Sequence, residues 1–277
     1  KPLLNGSGAR VLNGSGKSST GKAQLLNGVN GKPHGVKDLI LDHHAFSLVS
    51  EAYRTLRTAL MLSRAEAAPK LLLFTSATEG EGKTATAANT AIVFAQLGLR
   101  VLLVDVDLRR SRCHEILSIQ KGIGLTEFLT GRRDIRQVIR PTAVENLFFL
   151  SSGVTPPNPT ELISSRKMRE TLQTLREEYD CVVVDSPPVM PVSDALLLST
   201  IVDGVVIVVN GQVTPREIVR ETRARLEHVG AKILGVVLNR VDIQRSGYGY
   251  YYGYYSTYHA KDENEEPRFE NGMNLEH

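Results

Sequence analysis

The sequence is poor in the features that mark several classes of protein. It has two cysteines, Cys113 and Cys181, among 277 residues, which excludes a disulfide scaffold and fits a reducing compartment. No apolar run reaches the ~18 residues that a membrane-spanning helix needs, and no signal peptide is apparent. The seven histidines show no metal-ligand spacing.

Charge of one sign is not in large excess either. The formal net charge is +3, which does not indicate a nucleic-acid partner. Residues 1–37 carry six Lys or Arg and no acid, whereas residues 259–277 carry six acids and two bases. The first stretch also repeats Leu-Asn-Gly-Ser-Gly, at 4–8 and 12–16. We therefore expect residues 1–44 to form a flexible basic linker, either a soluble spacer or a segment attracted to an anionic membrane face.

Between residues 45 and 246, apolar runs alternate with helical patterns. The predicted strands are Leu71–Ser76, Val101–Val106, Leu147–Leu150, Cys181–Val184, Val205–Val209 and Ile233–Leu238. The predicted helices are 45–68, Lys83–Leu97, Leu125–Leu129, Thr160–Glu178 and Pro215–Val229. Continuous Val, Ile and Leu runs are typical of strands that are covered on both faces. Their alternation with helices predicts a doubly wound α/β fold with a mainly parallel sheet.

A glycine-rich loop follows the first predicted strand and opens a helix. It reads Ala-Thr-Glu-Gly-Glu-Gly-Lys-Thr over residues 77–84, with Ala77 in place of the usual first glycine. Lys83 would reach the β- and γ-phosphates of a nucleotide, and Thr84 would bind Mg²⁺. This context predicts a P-loop NTPase fold that binds ATP. The predicted ATP contacts in and beside the loop are Glu79, Gly80, Glu81, Gly82, Lys83, Thr84 and Ala85.

A second stretch, Gly14-Ser15-Gly16-Lys17-Ser18-Ser19, has a similar composition. No apolar strand precedes it and no amphipathic helix follows it, so we assign it to the linker.

Carboxylates follow two of the predicted strands. Asp105 and Asp107 end the second strand, and Asp185 ends the strand at 181–184. Ligands of open α/β sheets bind outside the carboxyl ends of the strands. These three carboxylates and Thr84 therefore suit Mg²⁺ beside Lys83. The pairing of Asp105 with Asp107 suits transfer to a protein hydroxyl: one carboxylate accepts the proton and the other helps to hold metal, and the spacing does not assign which.

From about residue 45 to residue 258, the sequence resembles the bacterial tyrosine kinases of exopolysaccharide and capsule assembly. Thr75–Thr84 is similar to that family's phosphate loop, although a proline common there is Glu79 here. Val101–Arg109 and Cys181–Pro188 are similar to its two acidic motifs, and Pro156–Leu162 is similar to a segment before a helix. Lys83 and the three aspartates would then be the catalytic residues.

The resemblance implies ATP-dependent transfer between neighbouring subunits of a ring, usually an octamer. It also implies a membrane adapter of the polysaccharide co-polymerase type, fused or separate, a cognate tyrosine phosphatase, and a place at the cytoplasmic side of the bacterial inner membrane. Glu51, Arg54 and Arg57 match the family's subunit contact. Without the resemblance, they would indicate an exposed helical ion pair.

Two lesser features are a loop and the start of the chain. Asn239 and Asp242 resemble an adenine-side loop, and a plain turn is the alternative. Because the chain begins at Lys1 rather than at Met, we allow for a longer protein with membrane segments upstream.

Seven of the nine tyrosines fall in the Gly-rich stretch 247–259, which precedes the acidic tail. The family resemblance implies that this stretch is the autophosphorylation region. We expect residues 247–277 to be a tyrosine cluster followed by a disordered tail. The alternatives are a stacking platform for single-stranded nucleic acid or an aggregation-prone tail. The seven tyrosines are Tyr248, Tyr250, Tyr251, Tyr252, Tyr254, Tyr255 and Tyr258.

Two other functions remain open at this point. One is a partition-type ATPase, although Thr78 stands where that group carries an extra lysine. The other is a nucleotide-sensing scaffold without turnover. The prediction is a tyrosine autokinase that regulates polysaccharide synthesis and export.

Overall fold

The computed structural model describes Leu39, residues 48–64 and residues 67–241. The predicted linker (but for Leu39), the tyrosine cluster, the acidic tail and Asp242 lie outside these residues. The helices are α1 (Leu48–Met61), α2 (Lys83–Ala95), α3 (Cys113–Ile116), α4 (Leu125–Leu129), α5 (Ile135–Val138), α6 (Pro159–Ser164), α7 (Arg166–Glu178), α8 (Asp194–Ser199) and α9 (Arg216–His228). The strands are β1 (Leu71–Ser76), β2 (Val101–Asp105), β3 (Ile139–Pro141), β4 (Leu147–Leu150), β5 (Cys181–Asp185), β6 (Gly204–Asn210) and β7 (Ile233–Asn239).

The strands form one sheet in the order β3-β4-β2-β5-β1-β6-β7. Every neighbouring pair is parallel except β3 and β4, which are antiparallel. The predicted mainly parallel sheet is confirmed. The register places Asp105 of β2 directly beside Asp185 of β5, so the two strand-end carboxylates are neighbours across the ladder.

Side chains of the central strands alternate between two buried clusters, one on each face of the sheet. Leu71 and Leu73 of β1 belong to the cluster that also contains residues of α7. Leu72 and Phe74 of the same strand belong to the cluster that contains residues of α2. All residues of β1, β2 and β5 are buried. This double burial explains why these strands are continuous apolar runs in the sequence.

The single helix predicted over Thr160–Glu178 is wrong. The chain breaks at Ser165, whose backbone is extended (φ −64°, ψ 151°), so that α6 ends and α7 begins. The Ser165 hydroxyl accepts a hydrogen bond of 3.1 Å from the backbone N–H of Met168. This N-cap stabilises the start of a new helix.

The first helix is shorter than predicted and ends at Met61 rather than Ala68. The Ser63 hydroxyl donates a hydrogen bond of 2.7 Å to the carbonyl of Leu60, which satisfies an acceptor of the last turn. Within the ranges described, no helix combines the length and the apolar character that crossing a bilayer requires.

Candidate active site

The phosphate loop joins β1 to α2, and two of its glycines have backbone conformations that other residues rarely adopt. Gly80 and Gly82 have φ of +79° and +92°, in the left-handed region that favours glycine. A Cβ on Gly82 would lie 2.0 Å from Nδ2 of Asn239. That amide donates a hydrogen bond of 3.0 Å to the carbonyl of Glu81. The end of β7 is thus bonded to the loop, and the Asn239 side chain contacts the loop backbone.

The side chain of Glu81 is turned into the protein and is 2% exposed. Its carboxylate accepts hydrogen bonds from the backbone N–H of Ala77 (3.0 Å) and the hydroxyl of Thr78 (2.9 Å). It also accepts one from the hydroxyl of Thr214 (2.7 Å). Any contact of Glu81 with a nucleotide is therefore confined to its backbone. The side chain holds the shape of the loop.

Lys83 lies among carboxylates at the strand ends. Its Nζ is 3.2 Å from Oδ2 of Asp107 and 3.7 Å from Oδ1 of Asp185. It also donates a hydrogen bond of 3.3 Å to the Thr84 hydroxyl. Burial alone would lower the pKa of Lys83, but the charges of Asp185 and Asp107 outweigh it and hold the pKa above its usual value. The lysine is therefore a fixed positive charge at this edge of the sheet.

Asp105 and Asp185 lie behind Lys83 and are fully buried. Asp105 accepts hydrogen bonds from the hydroxyl of Ser111 (2.8 Å) and the backbone N–H groups of Cys113 and Asp107 (3.2 Å each). Burial, followed by the charge of Asp185, raises the pKa of Asp105 to about 7. Burial also raises the pKa of Asp185. Two adjacent buried carboxylates are an arrangement that a cation would stabilise.

One oxygen of this pair has no hydrogen-bond partner. Oδ1 of Asp185 is buried and accepts no hydrogen bond. Its contact with Nζ of Lys83, at 3.7 Å, is too long for a hydrogen bond, and a hard divalent cation is a partner that would satisfy this oxygen. The residues therefore fit the predicted Mg²⁺, with Thr84 and Asp107 beside the two buried carboxylates.

A cavity of about 500 Å³ opens in front of Lys83 and Asp107. Glu79, Gly80, Gly82, Thr84 and Ala85 also line it, as the predicted nucleotide contacts require. Asp105, Asp185 and Asn239 are not among the lining residues: the two carboxylates lie behind the cavity wall, and Asn239 supports the loop.

Four arginines line the same cavity and were not among the predicted site residues: Arg109, Arg110, Arg112 and Arg240. Guanidinium groups bind phosphates through paired hydrogen bonds, so this lining suits a polyphosphate. Arg110 forms an ion pair with Glu79 across the opening. In the sequence, the run of basic residues directly after Asp107 was a signal for three of them, whereas nothing local marks Arg240.

Arg109 is fixed by a small polar network. Its Nε donates to Oδ2 of the buried Asp194 (3.0 Å), and its guanidinium also donates to the hydroxyl of Thr160 (2.8 Å). That hydroxyl in turn donates to Oδ1 of Asp194 (2.6 Å). The network connects the segment after β2 to α6 and α8. It gives a structural role to the Pro156–Leu162 segment.

The predicted interface residues lie on α1 and have partners within the chain. Arg54 forms an ion pair of 3.1 Å with Glu51, one turn away. Arg57 donates a hydrogen bond of 2.8 Å to the carbonyl of Val93 in α2. Arg57 therefore holds α1 against the domain. The role of this helix between subunits stays a prediction.

The mainly parallel sheet, the glycine loop at the start of a helix and Lys83 at the strand-end carboxylates define the class: the protein is a P-loop NTPase. Residues 70–231 match the family model described as an AAA domain. The septum site-determining protein MinD of Pyrococcus horikoshii, solved as a complex with Mg-ADP, shares the fold with a TM-score of 0.55. It is 24% identical, and the similarity covers 62% of this chain and 72% of that one.

Closer relatives give the family. The tyrosine-protein kinase YwqD of Bacillus subtilis is 39% identical over 206 residues, which cover 74% of this chain and 87% of YwqD. The putative tyrosine-protein kinase CapB of Staphylococcus aureus is 38% identical over 75% of this chain and 91% of its own length. The kinase domain of the Escherichia coli tyrosine kinase ETK superimposes with a TM-score of 0.70 at 35% identity, covering 74% of this chain and 80% of that one. The chain belongs to the bacterial tyrosine-kinase family.

A third kind of relative is longer. The putative tyrosine-protein kinase EpsB of Ralstonia solanacearum is 39% identical over 207 residues, which cover 74% of this chain and 28% of EpsB. The kinase module therefore occurs both as most of a short chain and as a minor part of a long one.

Proposed function

We propose that the protein transfers the γ-phosphoryl group of ATP to tyrosines of its own C-terminal cluster, between subunits. The observation that carries the proposal is the position of Lys83, held by Asp107 and Asp185 at the wall of an arginine-lined cavity, in a chain of the tyrosine-kinase family. The acceptors are the seven tyrosines at 248–258, which lie outside the described residues.

The phosphates occupy the cavity in front of the loop. Backbone N–H groups of the loop and the positive end of α2 face them, and Lys83 and the four arginines supply charge. Mg²⁺ would be held by Thr84 and by the carboxylates of Asp105, Asp107 and Asp185. When bound, it neutralises charge on the phosphate oxygens.

Asp107 is the group that accepts the tyrosine proton. It lines the cavity, whereas Asp105 is fully buried and does not reach the cavity. A general base has to reach the proton that it removes, so position decides over the raised pKa of Asp105. Lys83 stays beside Asp107 and balances its charge.

The proposal extends to the assembly. Glu51 and Arg54 on α1 present a half-exposed charged edge to a neighbouring subunit, in a ring that we take to be octameric. A membrane adapter of the polysaccharide co-polymerase type, separate or fused as the long relatives suggest, places the kinase at the cytoplasmic face of the bacterial inner membrane. There it regulates exopolysaccharide or capsule export, and a cognate tyrosine phosphatase reverses the modification.

Labelled ATP tests this proposal. Purified protein is incubated with Mg²⁺ and labelled ATP and then digested, and the peptides are analysed by mass spectrometry. Phosphate on residues 248–258 that disappears in Lys83→Met is the expected result. The control is Lys70→Met, an exposed lysine before β1. Free phosphate without labelled protein would instead indicate a partition-type ATPase, and nucleotide binding without turnover would indicate a scaffold.

A further inference from the structure

A thiol lies against the two buried carboxylates, and phosphoryl transfer assigns it no role. Cys113 is the first residue of α3 and is fully buried. Its Sγ donates a hydrogen bond of 3.4 Å to Oδ2 of Asp185, and its backbone N–H donates to Asp105. Cys113, Asp105 and Asp185 each offer one potential metal-ligand atom, and these three atoms lie within 4.8 Å of one another.

The geometry of the thiol–carboxylate pair matches a metal site. Sulfur and oxygen ligands of a tetrahedral zinc ion lie about 3.5 Å apart, given the usual metal–ligand distances. The Cys113–Asp185 separation of 3.4 Å is close to this value. The buried Oδ1 of Asp185 accepts no hydrogen bond and lies 3.7 Å from Nζ of Lys83, so this carboxylate keeps a lone pair that a cation could use.

The presence of sulfur decides which cation fits. Magnesium takes oxygen ligands only, whereas a thiolate favours zinc and similar ions. We propose that Cys113, Asp105 and Asp185 form a binding site for a thiophilic divalent cation of the zinc class. Binding breaks the S–H bond, forms a metal–sulfur bond and releases one proton to solvent, and no electron is transferred. Three protein ligands leave one position for water.

The consequence is regulatory and rests on the proposed kinase function. Asp105 and Asp185 are also proposed Mg²⁺ ligands, so a thiophilic ion at this site displaces the catalytic ion. Asp185, one of the proposed zinc ligands, also forms an ion pair with Lys83. Zinc should therefore inhibit the kinase through Cys113.

Cobalt tests the site directly, without nucleotide. Co²⁺ bound to a thiolate gives a sulfur-to-metal charge-transfer band that oxygen and histidine ligands do not give. The full chain has two cysteines, so Cys113→Ala is compared with Cys181→Ala, which changes a buried thiol in β5 outside the cluster. The band should appear in the wild type and in Cys181→Ala and be lost in Cys113→Ala. Zinc should remove it because zinc binds such ligands more tightly.

Circular dichroism checks that both variants fold, and Cys113→Ser serves if the alanine variant does not. The inference is overturned if the wild type gives no band, or if the band survives in Cys113→Ala. Either result leaves the kinase proposal intact, because no phosphoryl transfer is measured.

The regulatory consequence has its own readout. The measurement is the zinc concentration that halves autophosphorylation, taken relative to each variant's own rate without zinc. Losing a residue that only supports a metal ligand costs roughly tenfold in metal affinity. Because Cys113 is a proposed ligand itself, the half-inhibiting zinc concentration should rise by more than this in Cys113→Ala. Equal zinc sensitivity of Cys113→Ala and Cys181→Ala would refute regulation through this thiol.

Discussion

The Thr214 hydroxyl donates a hydrogen bond of 2.7 Å to the carboxylate of Glu81, although 133 positions separate the two residues. Glu81 lies in the phosphate loop and Thr214 lies just before α9. The same carboxylate binds the loop's own backbone at Ala77. The Glu81 side chain, which does not line the cavity, therefore fixes the loop from the side that faces the protein interior.

Removing this carboxylate should destabilise the fold. Glu81→Ala leaves the buried N–H of Ala77 and the less buried hydroxyls of Thr78 and Thr214 without their acceptor, and we expect it to lower the free energy of unfolding by about 1–3 kcal/mol. Thr214→Val keeps the shape and removes one hydrogen bond, at about 1 kcal/mol. Urea denaturation measures both. Equal midpoints for the wild type and Glu81→Ala would show that the loop does not depend on this contact.

Asp107→Asn should separate binding from chemistry. Loss of a general base lowers the rate of phosphoryl transfer by roughly 10²–10⁴-fold. Nucleotide affinity measured without Mg²⁺ should not fall, because the change removes a negative charge beside the phosphates. Single-turnover phosphorylation and a fluorescent-nucleotide titration measure the two quantities.

The matched control for Asp107 is Glu115→Gln. Glu115 also lines the cavity, but it is an exposed partner of Arg112. The Glu115→Gln variant should keep the transfer rate of the wild type. Transfer by Asp107→Asn at the control's rate would rule out Asp107 as the base.

The helix α1 should show two separable roles. Arg57→Ala breaks the hydrogen bond to Val93 and should lower the free energy of unfolding by about 1–2 kcal/mol. Glu51→Ala removes only a half-exposed ion pair, so its effect should stay below about 1 kcal/mol. Light scattering should show a smaller assembly for both variants. If Glu51→Ala keeps the full assembly mass, this edge of α1 is not the subunit contact.

Asp203 should make the protein sensitive to acid. Its carboxylate accepts hydrogen bonds from the backbone N–H groups of Lys70 and Leu71 and from Arg176. Burial opposes the charge, but these bonds, led by that of Arg176, hold the pKa of Asp203 below its usual value. A depressed folded-state pKa adds stability above the unfolded value of about 4, and this stability is lost as the pH falls through the folded pKa.

Asp203→Asn should therefore unfold at lower urea than the wild type at pH 7, and the difference should shrink as the solution is acidified to pH 3. The exposed Glu145 supplies the control, as Glu145→Gln. A stability difference that does not change with pH would contradict the linkage.

The strands were predictable because a strand that is buried on both faces of the sheet is a continuous apolar run in the sequence. β1 and β4 have the predicted bounds, β2, β5 and β7 differ by one residue at one end, and β6 is one residue longer at each end. Helix interruptions leave a weaker mark. The break before α7 depends on one hydroxyl, that of Ser165, which a helical pattern tolerates without change.

The site was predictable where it follows strand ends and was not where it depends on tertiary contacts. Asp105 and Asp185 were expected to converge, since parallel strands end at one edge of the sheet. The inward turn of Glu81 depends on Thr214, and the position of Arg240 depends on how β7 meets the loop. No local pattern reports contacts between residues so far apart in sequence.

The hydrogen bond between Asn239 and Glu81 fixes where the chain leaves the sheet. Tyr248 follows nine residues later, so even a fully extended chain keeps it within about 32 Å of Asn239. In the proposed transfer between subunits, the ring would hold a tyrosine on so short a tether near the neighbouring site, at an effective concentration on the order of millimolar. A free peptide of the same sequence should then be a poor competitor.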